Sequence, residues 1–415
     1  MLVETLPYLP FSPNTPNISS CFALILPSNV SEMVKLPVYL DYNATTPMDK
    51  RVLQVMLPYF TEHFGNAASR SHVFGWAASE AVDIAREQVA SLLGAEPGEI
   101  IFTSGATESC NLALKGVFEM YASKGNHIIT VGTEHKAVLD TCKHLEKLGG
   151  EVTYLPVGFD GLVDVQQLEA SIRPTTLLIC IMYANNEVGV IQPIRHIAEI
   201  ANRHNVLFFC DATQAVGKIP VDVLHDGIHL LALSAHKLYG PKGVGALYIR
   251  RKNPRVRLTA QQDGGGHEKN MRSGTLNVPG IAGLGKACEI CQTEMAEDAR
   301  RMALLRDKLE VALLQIPGAQ VNGNRKHRLP NITNISFPHI EAQGLMLRLS
   351  KYLAVSSGSA CTSASIEPSY VLKAMGLTDE LAHGSLRFGV GRFTTEEEMD
   401  FVLEKITENL KTQLI

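Results

Sequence analysis

Short, nearly all-apolar runs alternate along this chain with stretches in which apolar residues return every three or four positions. Leu36–Tyr42, Glu99–Thr103, His127–Val131, Glu151–Leu155, Leu177–Tyr183, Val206–Cys210, His229–Leu233 and Gly245–Ile249 have the length and composition of buried strands. Val82, Ala85, Val89, Leu92 and Leu93 mark one helical face that stops at Gly94, and the same spacing predicts helices over Glu108–Ala122, Lys136–Leu148, Val165–Ile172 and Arg195–His204. Helices that fall between successive strands build right-handed crossovers, hence an α/β fold with a mainly parallel sheet covered on both faces. Ligands of such sheets gather at the carboxyl ends of the strands.

Past Gly264–Gly266 the alternation ends. A long helical stretch from Ile281 to about Leu314 leads to a second region with strand Ile332–Phe337, helix Ala342–Leu349, a loop of small residues at Ser356–Ile366, helix Pro368–Met375, strand Ser385–Gly389 and a terminal helix from Glu396. Residues 1–32 are different again, rich in Pro, Asn and Ser, without Lys or Arg, and charged only at Glu4 and Glu32. Neither a secretory signal nor a mitochondrial transit peptide has that composition. The expectation is a disordered extension, dispensable for folding, or a start codon assigned upstream of Met33.

Composition narrows the function classes. With 38 Lys+Arg against 42 Asp+Glu among 415 residues, net −4, and no long basic stripe, nucleic acid and anionic membranes are poor candidates for the main partner. Apolar runs such as Leu177–Ala184 are far too short to span a bilayer. The eight cysteines are scattered in a chain large enough to need no disulfide framework, which suggests a reducing, cytoplasmic setting. The one C-x-x-C, Cys288 to Cys291, lies in a helical stretch with no second pair, so it reads as packing and no metal site is expected.

Five strand ends carry candidate chemistry. Lys237 follows an apolar strand and precedes the bend Gly240-Pro241-Lys242-Gly243. Partial desolvation there favours the neutral amine, a nucleophile suited to Schiff-base formation; the competing reading is a solvated turn lysine. Thr103-Ser104-Gly105-Ala106-Thr107-Glu108 joins a strand to a helix and offers free N–H groups as a phosphate seat, or simply a helix cap. Asp211 ends a buried strand, where a carboxylate needs a partner such as a protonated ring nitrogen, or caps the next turn. His135 ends another strand, and Asn185 and Asn186 a fifth. Beyond the sheet, Ser356 to Ser365 holds one thiol, Cys361, among small residues, a setting for a reactive rather than a packed cysteine.

In order, the chain carries LDYNATTP (40–47), SGATES (104–109), TEHKAV (133–138), NNE (185–187), DATQ (211–214), SAHK (234–237), MRSGT (271–275), SSGSACTSAS (356–365) and LRFGVGR (386–392). From about Leu36 to the C-terminus it therefore resembles the cysteine desulfurases of the IscS/NifS type, in the class V group of fold-type I pyridoxal-phosphate (PLP) enzymes. The Ser-Ala-Cys-Thr-Ser segment is similar to the branch with a long active-site loop.

That resemblance implies a large PLP-binding domain over residues 47–292 with a seven-stranded type of sheet. Residues 35–46 with 293–415 would form a smaller α+β domain carrying the cysteine loop, and 1–34 an extension. It implies that Lys237 holds PLP and moves the substrate Cα proton, that His135 stacks on the ring, and that Asp211 pairs with the ring nitrogen. Gln214 and Asn186 would lie near the phenolic oxygen. Ala106, Thr107, Ser234 and His236 would hold the phosphate, with Thr275 reaching it from the other subunit of a homodimer. Arg387, with Asn186, would bind the carboxylate of L-cysteine, and Cys361 would take the sulfur as a persulfide. The implied acceptors are an iron–sulfur scaffold protein and others, tRNA thiolation among their uses. Relatives of this branch often have a longer C-terminal tail that helps dock the scaffold, whereas this chain stops at Ile415. The alternatives carried forward are a selenocysteine lyase or another class V lyase, and a non-catalytic partner subunit of the same fold.

Overall fold

The computed structural model describes residues 34–357 and 367–411. Twelve strands are found among them: β1 (Val38–Tyr39), β2 (Ile100–Thr103), β3 (His127–Val131), β4 (Glu151–Leu155), β5 (Thr176–Cys180), β6 (Leu207–Asp211), β7 (Leu230–Ser234), β8 (Gly245–Ile249), β9 (Gln320–Val321), β10 (Ile332–Ser336), β11 (Leu353–Ala354) and β12 (Ser385–Gly389). Seven of them form one sheet in the order β2-β8-β7-β6-β5-β3-β4. All its pairings are parallel except those of β8, which runs against β2 and β7.

Alternate residues of a strand point to opposite faces, and both faces are apolar. Ile100, Phe102, Leu231 and Leu233 pack with the helices Val73–Leu93 and Val278–Leu313 on one side. Ile101, Leu230, Ala232 and Leu247 pack with the helices Ala106–Met120 and Lys136–Lys147 on the other. Burial of Phe208 and Phe209, neither measurably exposed, contributes roughly 2–3 kcal/mol each.

A second apolar cluster gathers Val38, Leu40, Leu309, Leu345, Phe388 and Val402. Its strands form an antiparallel sheet, β12-β10-β9, and a parallel pair, β1-β11. The helix Val278–Leu313 joins the two bodies. Its first half, to Cys291, packs in the large cluster, and Met302 to Leu313 pack in the second. Over 36 residues it spans about 54 Å at 1.5 Å per residue. Asn277 caps its start by accepting the Gly280 N–H. Cys288 and Cys291 are buried in this packing, and among the described residues no group of His, Cys, Asp and Glu could hold a metal ion.

Several boundaries differ from the sequence reading. The strand expected over Leu36–Tyr42 is only Val38–Tyr39, because just that pair forms a ladder, with Leu353–Ala354, while Asp41 makes an isolated bridge to Gly389. Glu99 closes a one-turn helix through a reciprocal cap with Glu96, so β2 starts at Ile100. β6 runs one residue further than expected and includes Asp211. The helix expected from Glu108 starts at Ala106. The helix Lys50–Met56, capped by Asp49, and the two-residue strands β9 and β11 were not foreseen. Two residues carry no periodicity, and their pairing is set by chain far away.

Candidate active site

The register of β8 brings the two most unusual strand ends together. Gly245 pairs with Thr103 at the end of β2 and with Ser234 at the end of β7. The turn into the helix Ala106–Met120 and the turn holding Lys237 therefore flank one glycine. A Cβ at Gly245 would stand 2.7 Å from the Gly105 Cα and 2.4 Å from the Leu233 carbonyl oxygen, so no larger residue fits there. Gly105 has φ +148°, a conformation that side chains strongly disfavour.

These ends open into a cavity of about 530 Å³ at the carboxyl side of the sheet. Ala106, Thr107, His135, Asn186, Asp211, Gln214, Ser234, His236, Lys237 and Arg387 all line it, so ten of the twelve expected site residues converge. Thr275 does not line it and is exposed on this chain. Cys361 lies outside the described residues.

β7 delivers Lys237 through the single turn Ala235–Lys237. Its Nζ donates to the carbonyls of Asn43 (2.5 Å) and Ala44 (2.8 Å), so the segment after β1 holds the amine in place. His236 Nδ1 lies 3.1 Å from Thr45 Oγ1. Burial, and then the charges of Lys237, Lys242 and Lys218, push the His236 pKa down to about 4, so that ring is neutral near pH 7.

The helix Ala106–Met120 has Gly105 at its N-cap and no side-chain cap. Its first N–H groups have no intrahelical acceptor, and the helix dipole makes that end positive. Glu108, in its first turn, accepts the Ser104 N–H at 2.7 Å and pairs with Arg272 at 2.7 Å. That pairing takes up the carboxylate's charge beside a seat shaped for an anion.

His135 caps the helix Lys136–Lys147 by accepting the Ala137 N–H on Nδ1 at 3.1 Å, which places its ring proton on Nε2. Asp211 is 6% exposed. Its Oδ1 accepts the Thr213 N–H at 3.0 Å, and its Oδ2 lies 3.8 Å from the Cys110 thiol. Among the described residues no cation forms an ion pair with it. Burial and the nearby Asp211 charge hold the Cys110 thiol well above its ordinary pKa.

Arg387, on β12, is 3% exposed. It donates to Asp41 Oδ1 at 2.6 Å and to the Asn186 carbonyl at 3.0 Å. Arg387 Nε, Asn186 Oδ1 and Thr213 Oγ1 are buried and have no partner among the described residues. Native proteins seldom leave such atoms unsatisfied, so the cavity is built to receive a polar ligand.

The donor set fits PLP. An amine at Lys237 can hold the aldehyde carbon, an uncompensated carboxylate at Asp211 suits a protonated ring nitrogen, and the uncapped helix start with Ser234 and His236 suits a phosphate.

Some contributors were not foreseen from sequence. The Asn43 and Ala44 carbonyls on Lys237 belong to a turn distant in the chain. Glu187 is buried and accepts from Ser369 Oγ at 2.5 Å. Lys218 bonds to Gln214. The Asn43 turn and Glu187 had each left a trace, as parts of motifs, and Lys218 had left none.

The aminotransferase class-V family model matches residues 38–402, and the chain belongs to that family. It is 57% identical over 379 residues to the cysteine desulfurase IscS of Anaeromyxobacter sp. (strain Fw109-5), covering 91% of this chain and 93% of the relative. It is 58% identical over 380 residues to the cysteine desulfurase IscS of Actinobacillus succinogenes (strain ATCC 55618 / DSM 22257 / CCUG 43843 / 130Z), covering 91% and 94%. Among solved structures, a NifS-like protein superposes with a TM-score of 0.84 at 40% identity, over 91% of this chain and all of that one (100%). SspA in complex with cysteine superposes with a TM-score of 0.77 at 38% identity, over 86% of this chain and 100% of its own.

Proposed function

We propose that the chain is a PLP-dependent cysteine desulfurase that converts L-cysteine to L-alanine and keeps the sulfur as a persulfide on Cys361. The observation that carries the reading is the convergence of the Lys237 amine, the Asp211 carboxylate, which has no ion-pair partner among the described residues, and the uncapped helix start on one cavity that also holds a buried arginine. The relatives named cysteine desulfurase and the likeness to a cysteine-bound structure support it. No feature of the cavity favours a selenocysteine lyase or a non-catalytic subunit.

PLP, when bound, supplies an electron sink for the substrate carbon. The protein's residues do the rest. Arg387, with Asn186 beside it, binds and orients the substrate carboxylate. Lys237 would hold the cofactor and would move the proton at the substrate Cα. His135 would cover one face of the ring, and Asp211 would keep the ring nitrogen protonated. The Cys361 thiolate takes the sulfur: an S–S bond forms, the substrate C–S bond breaks, and alanine leaves with the hydrogen that the thiol gave up.

What supports Cys361 is where its segment is anchored. Ser356, before residues 358–366, exchanges backbone hydrogen bonds with Arg387, and Ser369, after them, bonds to Glu187. The first flank therefore meets Arg387 at the cavity wall, and the second meets Glu187, the neighbour in sequence of the lining residue Asn186.

The reading includes a homodimer in which Thr275 completes the partner's phosphate seat, which suits its exposure on its own chain. Exposed Phe60, Phe64, Phe74 and Trp76 supply an apolar surface for such an interface. The reading also includes the two-domain division, with 47–292 as the PLP-binding body, and sulfur delivery to an iron–sulfur scaffold in the cytoplasm. The six cysteines among the described residues are all free, which suits a reducing compartment, and no helix among the described residues is long and apolar enough to cross a membrane.

The test is incubation of the PLP-loaded protein with L-cysteine and a reductant. Equal amounts of alanine and sulfide are expected. Alanine without sulfide or persulfide, or no turnover of cysteine, overturns the proposal.

A further inference from the structure

Lys218 is 4% exposed and has no carboxylate partner among the described residues. Burial, and then the charge of Lys237, push its pKa down to about 7. A lysine is a costly residue to bury without a counter-charge. Its contacts show what it does. Nζ donates to the Gln214 carbonyl at 3.1 Å and to Gln214 Oε1 at 3.2 Å. The same Oε1 accepts from Asn43 Nδ2 at 3.1 Å, while Gln214 Nε2 donates to the Asn43 carbonyl at 2.9 Å.

An amide side chain can be turned end for end at little steric cost, so only its partners decide which end faces where. Here two donors converge on Oε1. If the amide were turned, its NH₂ would face the hydrogens of Lys218 and Asn43. Neutral or protonated, Lys218 Nζ carries hydrogens to give. With Oε1 occupied twice, Nε2 is held on the other side, with one hydrogen on Asn43 and one to spare in a side chain that lines the cavity.

We propose, resting on the PLP reading above, that Lys218 is a positioning residue. Through Gln214 it keeps an N–H donor, never an acceptor, turned toward the phenolic oxygen of PLP. Lys237 and His236 from the turn after β7, and Cys291 from the helix Val278–Leu313, are the other titratable groups coupled to it. A donor on the phenolic oxygen stabilises its anion and so lowers the pKa of the proton that the anion shares with the neighbouring nitrogen.

The test uses the PLP-loaded enzyme without substrate. The readout is the pH midpoint of the cofactor's visible absorption change, with PLP affinity and melting temperature alongside. Lys218→Met is expected to raise the midpoint by about one pH unit and to weaken PLP by up to about tenfold, the scale of one hydrogen bond. The melting temperature of the PLP-free protein should hold or rise, because a buried amine has gone. In a Gln214→Leu background the same substitution should leave the midpoint where Gln214→Leu put it.

An unmoved midpoint with lower melting would make Lys218 structural and overturn the proposal. A further shift in the Gln214→Leu background would show that its charge acts directly, which also overturns it. Should Lys218→Met not fold, Asn43→Ala removes the second donor from Oε1. It should raise the midpoint too, and an unchanged value counts against the proposal. If the unsubstituted protein forms no visible band with PLP, the functional reading fails, a result distinct from any of these.

Discussion

Arg387→Lys probes the substrate end of the cavity with the charge retained. The guanidinium spends one terminal nitrogen on Asp41 and the other on the Asn186 carbonyl, at 2.6 and 3.0 Å, and Nε is unsatisfied. Five N–H groups in a planar fork thus leave donors for a carboxylate after both protein contacts are made. A lysine ammonium has three, and holding Asp41 and Asn186 would leave one. The variant therefore loses one charge-assisted hydrogen bond to the substrate, about 1.5–3 kcal/mol, or about 10- to 140-fold at 1.4 kcal/mol per factor of ten. The assay is sulfide release against L-cysteine concentration, with an absorption spectrum of the loaded enzyme before substrate. The loss is expected mainly in KM, with the spectrum unchanged. A KM within about twofold of the parent, well below that range, would refute the assignment of Arg387 to the carboxylate. A lost cofactor spectrum would show that Arg387 supports the fold of the site instead.

Cys361→Ala should keep the absorption of bound PLP and still bind L-cysteine, yet release almost no sulfide; parental turnover would move the nucleophile to another thiol. In a mixed dimer of Lys237→Ala and Thr275→Ala protomers, one site collects both lesions and the other is intact, so about half the parental activity returns by the two-fold site count. A mixed dimer no better than the mean of its parents would show that Thr275 acts within its own chain. Glu187 bears on pH: burial raises its pKa to about 7 from the ordinary 4.5, against opposing bonds and charges from Ser369, Arg387, His135 and Lys136. A raised carboxyl contributes stability that is complete below the unfolded pKa and is lost as pH rises through the folded one. The difference of 2.5 units corresponds to about 3 kcal/mol lost between pH 4.5 and 7. Glu187→Gln should flatten denaturant midpoints over that window while keeping an acceptor for Ser369, and an unchanged slope would show that Glu187 does not titrate there.

The sequence by itself determined the alternating strands and helices, because burial on both faces of a parallel sheet demands continuous apolar runs that the eye can find. It also singled out the strand ends at Thr103, Asp211 and Ser234, because polar or small residues that interrupt such runs stand out against them. Nine motifs in order made the family legible as a resemblance. What pattern alone did not tell was whether Asp211 caps a turn or waits for a cation. The structure shows that it accepts the Thr213 N–H and still has no ion-pair partner among the described residues.

Only the tertiary structure decided the rest. That Asn43 and Ala44 clasp Lys237 depends on β1 pairing with β11 and carrying the following turn across to the large body. That Arg387 enters the same cavity depends on how the second apolar cluster packs, and that Gln214 meets Asn43, 171 positions away, depends on the turn after β1. Hydrogen bonds between groups roughly 150 to 350 positions apart leave no periodicity in a sequence, since register and packing choose the partner and local propensity does not. The reversal of β8 is of the same kind: its residues read as any buried strand, and only its pairing on both edges sets the lysine turn beside the helix start.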